Sequence, residues 1–275
     1  MGTNDDKQTG DDHATVPVII LCGGRGTRIR DAGTLVPKPM LTIGGMPILR
    51  HIMKLYAAHG FTNFVLALGY LGDVIRTYFL NYEALTRDFT IELGKHDGVT
   101  YLDNQEDQGW RVTCIGTGAD ALTGTRVRRA AAHLPTGPVM VTYGDGLGDV
   151  DISALLRFHR SHKGKATLTT VRPPGRFGEL IVGEDGVVEM FEEKPQTAAG
   201  TINGGFMVFE REAIDEYIPE DSDVMLERSP LNSLAQDGEL WAFSHDGFWQ
   251  PMDTPREREL LQALWDSGEA PWKVR

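Results

Sequence analysis

The stretch Leu21-Cys22-Gly23-Gly24-Arg25-Gly26-Thr27-Arg28 continues the apolar run that begins at Val16. This run is short and rich in valine and isoleucine, which predicts a buried parallel strand. Glycines let backbone N–H groups approach a ligand closely, and successive N–H groups form a concavity that binds anions. Downstream, Pro37-Lys38-Pro39-Met40 holds a lysine between two prolines. The two arginines of the loop and this lysine suit a triphosphate, which needs many donors and several cations in a small space.

Two familiar glycine motifs do not fit this loop. The Walker pattern ends in Gly-Lys followed by Ser or Thr, and the loop has no such ending. The dinucleotide fingerprint needs a glycine three residues after its second glycine, where this chain has Ile29. A glycine-rich turn that only connects a strand to a helix is the alternative. The Thr27-Arg28 pair and the downstream lysine favour phosphate binding.

The composition excludes several classes of partner. The chain has 275 residues, 41% hydrophobic content and a formal net charge of −12. This charge argues against nucleic acid and anionic membranes, so a local cluster of arginine and lysine has to hold anionic substrates. The sequence contains no apolar run of about 18 residues, which predicts no membrane span. The acidic, polar start differs from a signal peptide, so we expect a cytoplasmic protein.

The pattern of elements predicts an α/β domain. A strand up to Leu21, a helix opened by Pro47, a strand over 64–68 and a helix over 72–80 alternate, which is typical of a parallel sheet covered by helices. Residues 1–15 are polar, and we expect a disordered acidic tail followed by a single domain over 16–275. The polar stretch 95–109 is interpreted as a loop, and the two cysteines as buried and reduced.

A carboxylate follows the apolar strand predicted over 139–143, in the sequence Gly144-Asp145-Gly146. In open α/β sheets, ligands bind beyond the carboxyl ends of the strands. Asp145 is therefore well placed to hold a divalent cation. The alternative is an aspartate that starts a tight turn or caps a helix.

Three later residues are candidates with open alternatives. Lys194 could hold a sugar phosphate, or it is a solvated lysine in a charged turn. Asn203 could bond to sugar hydroxyls, or it is a turn asparagine. Asp253 precedes Thr254 and Pro255, so it lies near a helix N-cap, or it is a second carboxylate on the metal.

Together these motifs resemble the sugar-phosphate nucleotidyltransferases. The Gly-Gly-x-Gly-Thr-Arg run and the Pro-Lys-Pro-Met run are similar to the signature of the whole family. The run Gly-Phe-Trp-Gln-Pro-Met-Asp-Thr at 247–254 and the run Pro-Pro-Gly-Arg-Phe-Gly at 173–178 resemble one branch, the glucose-1-phosphate cytidylyltransferases. The similarity extends from about Val16 to the end of the chain.

The resemblance implies a Rossmann-like fold with a mixed, mostly parallel sheet, a homo-oligomer and Mg²⁺ as cofactor. It assigns nucleotide binding to Leu21, Cys22, Gly23, Gly24, Arg25, Gly26, Thr27, Thr123, Gly124 and Arg126. It assigns the sugar phosphate to Gly144, Glu179, Lys194, Asn203 and Gly204. It assigns catalysis to Arg28, Lys38 and Asp145, and the metal to Asp145 and Asp253.

The reaction implied by this resemblance is CTP plus α-D-glucose 1-phosphate giving CDP-glucose and pyrophosphate. A phosphate oxygen is already anionic near neutral pH, so neither a protein nucleophile nor a general base is required. The first alternative is the same chemistry with another nucleoside triphosphate or another sugar or cyclitol 1-phosphate. Departures from the common pattern at Cys22, Arg25 and Glu179 bear on this specificity. The second alternative is a non-catalytic subunit that binds a sugar nucleotide.

Overall fold

The structure of the chain is a computed structural model that describes residues 13–24, 36–95, 98–102, 109–173, 179–182, 188–192 and 200–273. For residues 179–182 and 188–192, the description covers the backbone. The predictions that lie outside the described residues concern the segment 1–12, the side chain of Glu179, and Arg25, Gly26, Thr27, Arg28 and Lys194.

The described strands are mostly three to six residues long. In chain order they are β1 (Pro17–Cys22), β2 (Thr42–Ile43), β3 (Met46–Pro47), β4 (Asn63–Leu68), β5 (Phe89–Ile91), β6 (Val99–Tyr101), β7 (Arg111–Gly116), β8 (Pro138–Tyr143), β9 (Gly146–Gly148), β10 (Ala166–Val171), β11 (Glu179–Val182), β12 (Val188–Glu192), β13 (Ile202–Glu210), β14 (Leu240–Ser244) and β15 (Trp249–Pro251).

The described helices lie between these strands. They are a 3-10 turn (Lys38–Met40), α1 (Ile48–Ala58), α2 (Gly72–Leu80), α3 (Tyr82–Thr86), α4 (Thr123–Ala131), α5 (Ile152–Ser161), α6 (Arg211–Tyr217), α7 (Ser229–Gln236) and α8 (Pro255–Asp266). None of these described helices combines the length and the apolar character needed to span a membrane.

Seven of the described strands form one sheet, in the order β14-β10-β13-β8-β1-β4-β7. β1 pairs in parallel with β4 and β8, β4 with β7, and β10 with β14. β13 runs antiparallel to its neighbours β8 and β10. The predicted α/β fold with a mixed, mostly parallel sheet is confirmed.

The strand order reverses between β1 and β8. From β1 the chain adds β4 and then β7 on one side, and after α4 it places β8 on the other side of β1. Ligands of open α/β sheets bind outside the strand ends at such a point. Gly23 and Gly24 follow β1, and Gly144 and Asp145 follow β8, so two of the predicted site segments lie side by side at this crevice.

The strand that opens the sheet is buried on both faces. Val18, Ile20 and Cys22 belong to one core, which α1 and α5 help to cover. Ile19 and Leu21 belong to the other, which α4, α6 and α7 cover. Because alternate side chains enter opposite cores, β1 has to be apolar throughout, and this is why its sequence is an unbroken apolar run.

Two predictions about the chain's course differ from the structure. The stretch 95–109, interpreted as a loop, contains β6, which pairs antiparallel with β5 in a hairpin. A three-residue strand is too short for its alternation to be visible in the sequence. The packed domain also includes His13, which we assigned to the disordered tail. Its ring stacks on Phe61 with centroids 4.5 Å apart, and its Nδ1 lies 2.9 Å from the carbonyl oxygen of His59.

Large apolar side chains are exposed over a short part of the chain, from the end of α2 to the β5–β6 hairpin. Each is more than two-fifths exposed. They are Leu80, Leu85, Phe89, Ile91, Leu93, Val99 and Leu102. Because so many large apolar side chains are exposed within one segment, this segment is a candidate contact surface.

A buried histidine fixes the end of the chain against α1. His51 lies 2.9 Å, through Nε2, from the carbonyl oxygen of Ile43. The indole N–H of Trp272 donates to His51 Nδ1 at 3.3 Å. Since the indole nitrogen only donates, the imidazole is neutral, with its proton on Nε2. Burial lowers the pKa of His51 from 6.5 to about 4.

We expect the free energy of unfolding to decrease as the pH falls from about 6.5 toward 4. In this range the unfolded chain takes up a proton that folded His51 does not bind, so acid favours unfolding. His51→Gln should flatten part of this decline in urea denaturation series. The rest belongs to His159, whose pKa burial also lowers to about 4, and to His59 and His162, whose pKa values burial lowers as well. His133→Gln, at an exposed histidine, is the control. A decline as steep in His51→Gln as in the wild type would contradict this role.

Candidate active site

The ends of β1 and β8 are joined by a backbone hydrogen bond. Gly144 N–H donates to the carbonyl oxygen of Leu21 at 3.1 Å. A Cβ at Gly144 would lie 2.7 Å from that oxygen and 3.1 Å from Pro39 Cγ. The position therefore requires glycine, because a side chain would separate the strand ends or displace the 3-10 turn. This contact fixes the residue that precedes Asp145 against the start of the glycine loop.

A two-stranded ribbon brings Asp145 and Asp253 together. β9 follows Asp145, and β15 precedes Asp253, and these two strands pair antiparallel. Beyond the ribbon, Met252 N–H donates to the carbonyl oxygen of Asp145 at 2.8 Å. Met252 is fully buried, so the ribbon is anchored in the core at the point where the two carboxylates leave it.

Lys38 lies between these two carboxylates. Its Nζ donates to Asp145 Oδ2 at 2.6 Å and also contacts Asp253 Oδ1. The flanking residues Pro39 and Met40 are buried, which holds the lysine backbone in place. The structure therefore brings together three residues that the sequence analysis assigned to catalysis or metal binding.

Charge determines the state of this cluster. Burial alone lowers the pKa of Lys38, but Asp145 and then Asp253 outweigh it, so the pKa lies above its usual value. The ammonium is protonated at neutral pH and compensates for one of two facing carboxylates. One negative charge is left over, so a divalent cation in place of the ammonium would balance both carboxylates.

The residues present fit a divalent cation such as Mg²⁺. Two carboxylates already share one cationic partner, the Lys38 ammonium, and carboxylate oxygens are the ligands that Mg²⁺ takes from proteins. Within the described ranges, no group of three or more His, Cys, Asp or Glu side chains forms a metal cage. This agrees with the usual Mg²⁺ site, where one or two carboxylates hold the ion and water and substrate phosphates complete its shell.

Arg126 connects the ends of three neighbouring strands. Its guanidinium is buried and donates five hydrogen bonds of 2.8–3.3 Å. The acceptors are the carbonyl oxygens of Gly23, Leu68, Gly118 and Ala119 and the hydroxyl of Thr117. Gly23 follows β1, Leu68 ends β4, and the others follow β7. These contacts give Arg126 a positioning role at the ends of these strands, and its direct contact with the nucleotide stays a prediction.

Two glycines make room for this guanidinium. A Cβ at Gly23 would lie 2.2 Å from Arg126 Cζ, and one at Gly69 would lie 2.3 Å from its Nη1. Burial lowers the pKa of Arg126, yet an arginine stays charged in proteins. Gly23 is therefore needed for packing, whatever its backbone contributes to phosphate binding.

Glu227 is a site residue that sequence analysis missed. Its carboxylate accepts hydrogen bonds from Thr123 Oγ1 at 2.7 Å and from the Tyr143 hydroxyl at 2.5 Å. Thr123 Oγ1 in turn accepts from Leu226 N–H at 2.9 Å. Burial, and next Glu227, raise the pKa of Tyr143, so Tyr143 stays protonated and donates. Glu227 thus joins the start of α4 to the strand end that carries Asp145.

The start of β13 packs against the same strand end. Asn203 Oδ1 accepts from Gly205 N–H at 2.9 Å, which is the local turn contact weighed as an alternative. Gly205 has φ +84°, and a Cβ there would lie 2.3 Å from the Tyr143 ring. The Trp249 indole N–H donates to the carbonyl oxygen of Gly204 at 2.8 Å. The predicted sugar-phosphate residues Asn203 and Gly204 therefore lie beside Tyr143, and their ligand contacts stay predictions.

Leu21 and Cys22 contribute only backbone to this site. Their side chains are buried in the two cores on either side of β1. Burial also raises the pKa of the Cys22 thiol, so the thiol is protonated and not a nucleophile.

Gly124 lies in α4, where a Cβ would approach the carbonyl oxygen of Val224 to 2.9 Å.

Comparison with known proteins identifies the class of protein that carries this site. A family model described as "Nucleotidyl transferase" matches residues 17–250, and the chain belongs to this family. It is 45% identical to the glucose-1-phosphate cytidylyltransferase of Salmonella typhi, over 93% of this chain and 98% of that one. The resemblance predicted from the motifs is thereby confirmed.

More distant relatives share the fold. The mannose-1-phosphate guanylyltransferase of Mycobacterium tuberculosis is 31% identical, over 88% of this chain and 62% of its own. Among solved structures, HddC from Yersinia pseudotuberculosis aligns with a TM-score of 0.65 and 22% identity, covering 91% of this chain and 99% of its own. This structural match supports the same arrangement of sheet and helices.

We expect Gly23→Ala to lower the melting temperature, because the added methyl group collides with a guanidinium held by five acceptors. Overpacking costs about 1–3 kcal/mol, and each kcal/mol shifts melting by roughly 2–4 °C in a chain of this size. Gly24→Ala is the matched control, since a Cβ there has no neighbour within 4 Å among the residues that the structure describes. Equal melting temperatures for the two variants in scanning calorimetry would show that the packing argument is wrong.

Proposed function

We propose that this chain transfers a cytidylyl group from CTP to α-D-glucose 1-phosphate, giving CDP-glucose and pyrophosphate. One observation carries the proposal: Lys38 meets Asp145 and Asp253 at the point where the strand order reverses. The 45% identity to a glucose-1-phosphate cytidylyltransferase over nearly that whole protein supports the choice of substrates.

The reaction needs positioning and charge neutralisation more than proton transfer. A phosphate oxygen of the sugar phosphate attacks the α-phosphorus of CTP in line, and the bond from that phosphorus to the bridging oxygen of pyrophosphate breaks. The attacking oxygen is already anionic near neutral pH. Asp145 and Asp253 would hold Mg²⁺, which supplies positive charge beside the phosphate oxygens when it is bound. Lys38 adds a further cation for the triphosphate.

The surrounding contacts support this chemistry by fixing the site's backbone. Arg126 holds Gly23 at the start of the glycine loop, and Glu227 holds Thr123 and Tyr143 in one hydrogen-bonded unit. Groups held in place before the substrates arrive do not have to reorganise during the reaction, which is how electrostatic catalysis gains its effect.

A second candidate keeps the reaction and changes the substrates. The 31% identity to a mannose-1-phosphate guanylyltransferase shows that related chains are named for another base and another sugar. A non-catalytic binding subunit is disfavoured because Lys38, Asp145 and Asp253 are all present and in contact.

We also propose a homo-oligomer, supported by the exposed apolar side chains of the segment 80–102, and a cytoplasmic location, supported by two free cysteines.

Pyrophosphate release tests the substrates directly. We expect turnover with CTP and glucose 1-phosphate in the presence of Mg²⁺, and little with UTP, dTTP, ATP or GTP or with other sugar 1-phosphates. Turnover with a different pair would keep the chemistry and replace the substrates. If the folded protein released no pyrophosphate with any of these substrate pairs, the result would favour a non-catalytic subunit that binds a sugar nucleotide.

We expect Asp145→Asn and Asp253→Asn each to lower kcat on the order of a hundredfold or more, because each substitution removes one of the two carboxylates that would hold the metal ion. Asp73→Asn is the control: this carboxylate is almost fully exposed on α2 and pairs only with Arg76 among the contacts described. Circular dichroism checks that the variants fold. Full Mg²⁺-dependent activity in Asp145→Asn would refute the metal role.

A further inference from the structure

Lys38 and a divalent cation have the same two partners. The ammonium contacts one oxygen of Asp145 and one of Asp253, the two carboxylates that the proposed function assigns to the metal. The Lys38 side chain is 12% exposed, whereas the carboxylates are 34% and 38% exposed. The lysine is therefore the most buried of the three side chains, and it occupies one oxygen of each carboxylate.

Charge makes the two cations alternatives. Two carboxylates this close repel each other, and a single ammonium relieves most of that repulsion. A divalent cation on the same oxygens would face the ammonium at close range, where like charges repel strongly in a partly buried setting. The ammonium consequently has to leave at least one of these two oxygens before a metal ion binds both of them.

The lysine is built so that its head can move while its backbone stays. Pro37 and Pro39 restrict the backbone, and Pro39 and Met40 are buried. The ammonium sits on a flexible four-carbon stem with three rotatable donors. Pro39 packs beside Gly144 at the end of β8, next to the start of the glycine loop. A triphosphate bound at this strand end would offer the ammonium anionic oxygens as alternative partners.

We propose that Lys38 is a competing cation for the metal carboxylates. In the ligand-free protein it pairs with Asp145 and Asp253 and weakens metal binding, and the incoming triphosphate draws it away, so that metal and nucleotide bind with positive coupling. This proposal rests on the proposed function, since it takes Asp145 and Asp253 as the metal ligands. It adds a second role to Lys38, before any phosphate is present.

The test measures Mn²⁺ binding to the ligand-free protein by titration calorimetry, with no nucleotide and no turnover. We expect Lys38→Met and Lys38→Gln to bind Mn²⁺ at least about tenfold more tightly than the wild type, because both leave the carboxylates without a cation. Lys38→Arg keeps the charge and should bind as weakly as the wild type. Lys165→Met is the matched control, a lysine paired with Glu216 at 2.8 Å on the surface.

Thermal unfolding gives a second readout. In chelator, Lys38→Gln should melt below the wild type, since two carboxylates face each other unpaired, and saturating Mn²⁺ should raise its melting temperature more than it raises that of the wild type. If Lys38→Met does not fold, the comparison of Lys38→Gln with Lys38→Arg decides. Equal or weaker Mn²⁺ binding by Lys38→Gln than by the wild type overturns the proposal. Because these measurements follow no reaction, unchanged Mn²⁺ binding would not count against cytidylyl transfer. A lack of turnover, in turn, would not count against competition between Lys38 and the metal.

Discussion

Two carboxylates from distant parts of the chain converge on one ammonium, and much of the surrounding fold serves to bring them there. Asp145 leaves the central sheet at the end of β8, and Asp253 enters from the β9–β15 ribbon just before the capped helix α8. Facing carboxylates are unfavourable unless a cation joins them, so the site is stable only with Lys38 or another cation in contact. The same two carboxylates therefore determine the electrostatics of the ligand-free protein and would hold the metal ion in the protein with bound substrates.

The site also depends on glycines that let backbone and side chains approach each other closely. Gly144 lets the ends of β1 and β8 meet, and Gly23 and Gly69 enclose the guanidinium of Arg126. A buried guanidinium with five acceptors holds three strand ends in one geometry, and it leaves few donors for a ligand. The residues around the end of β1 therefore divide into groups that could contact a substrate and groups that fix the backbone.

The sequence was most informative where a feature was local. The apolar run of β1, the helix over α2 and the strand end before Asp145 follow from periodicity and from the rule for open α/β sheets, and the structure has them. Asp253 is different, because its contact with Lys38 depends on the pairing of β9 with β15, two strands far apart in the chain. At the sequence level that contact rested on resemblance alone.

Other features depended on tertiary contacts that no local pattern indicates. Glu227 lies in a polar segment before α7, and its importance arises only because Thr123 and Tyr143 both reach it. The resemblance assigned Arg126 to the nucleotide, and this contact stays a prediction, whereas the five acceptors around its guanidinium come from strand ends that no local pattern brings together. β6 forms because it pairs with β5, and His13 is buried because its imidazole stacks on the ring of Phe61.

The proposed reaction transfers the α-phosphorus of CTP to the sugar phosphate. The most direct measurement incubates the protein with Mg²⁺, glucose 1-phosphate and CTP labelled at the α-phosphorus, and follows the label by chromatography. We expect the label to move into CDP-glucose, while the pyrophosphate that is released carries none. Label that stays in CTP, with folded protein and both substrates present, would contradict it.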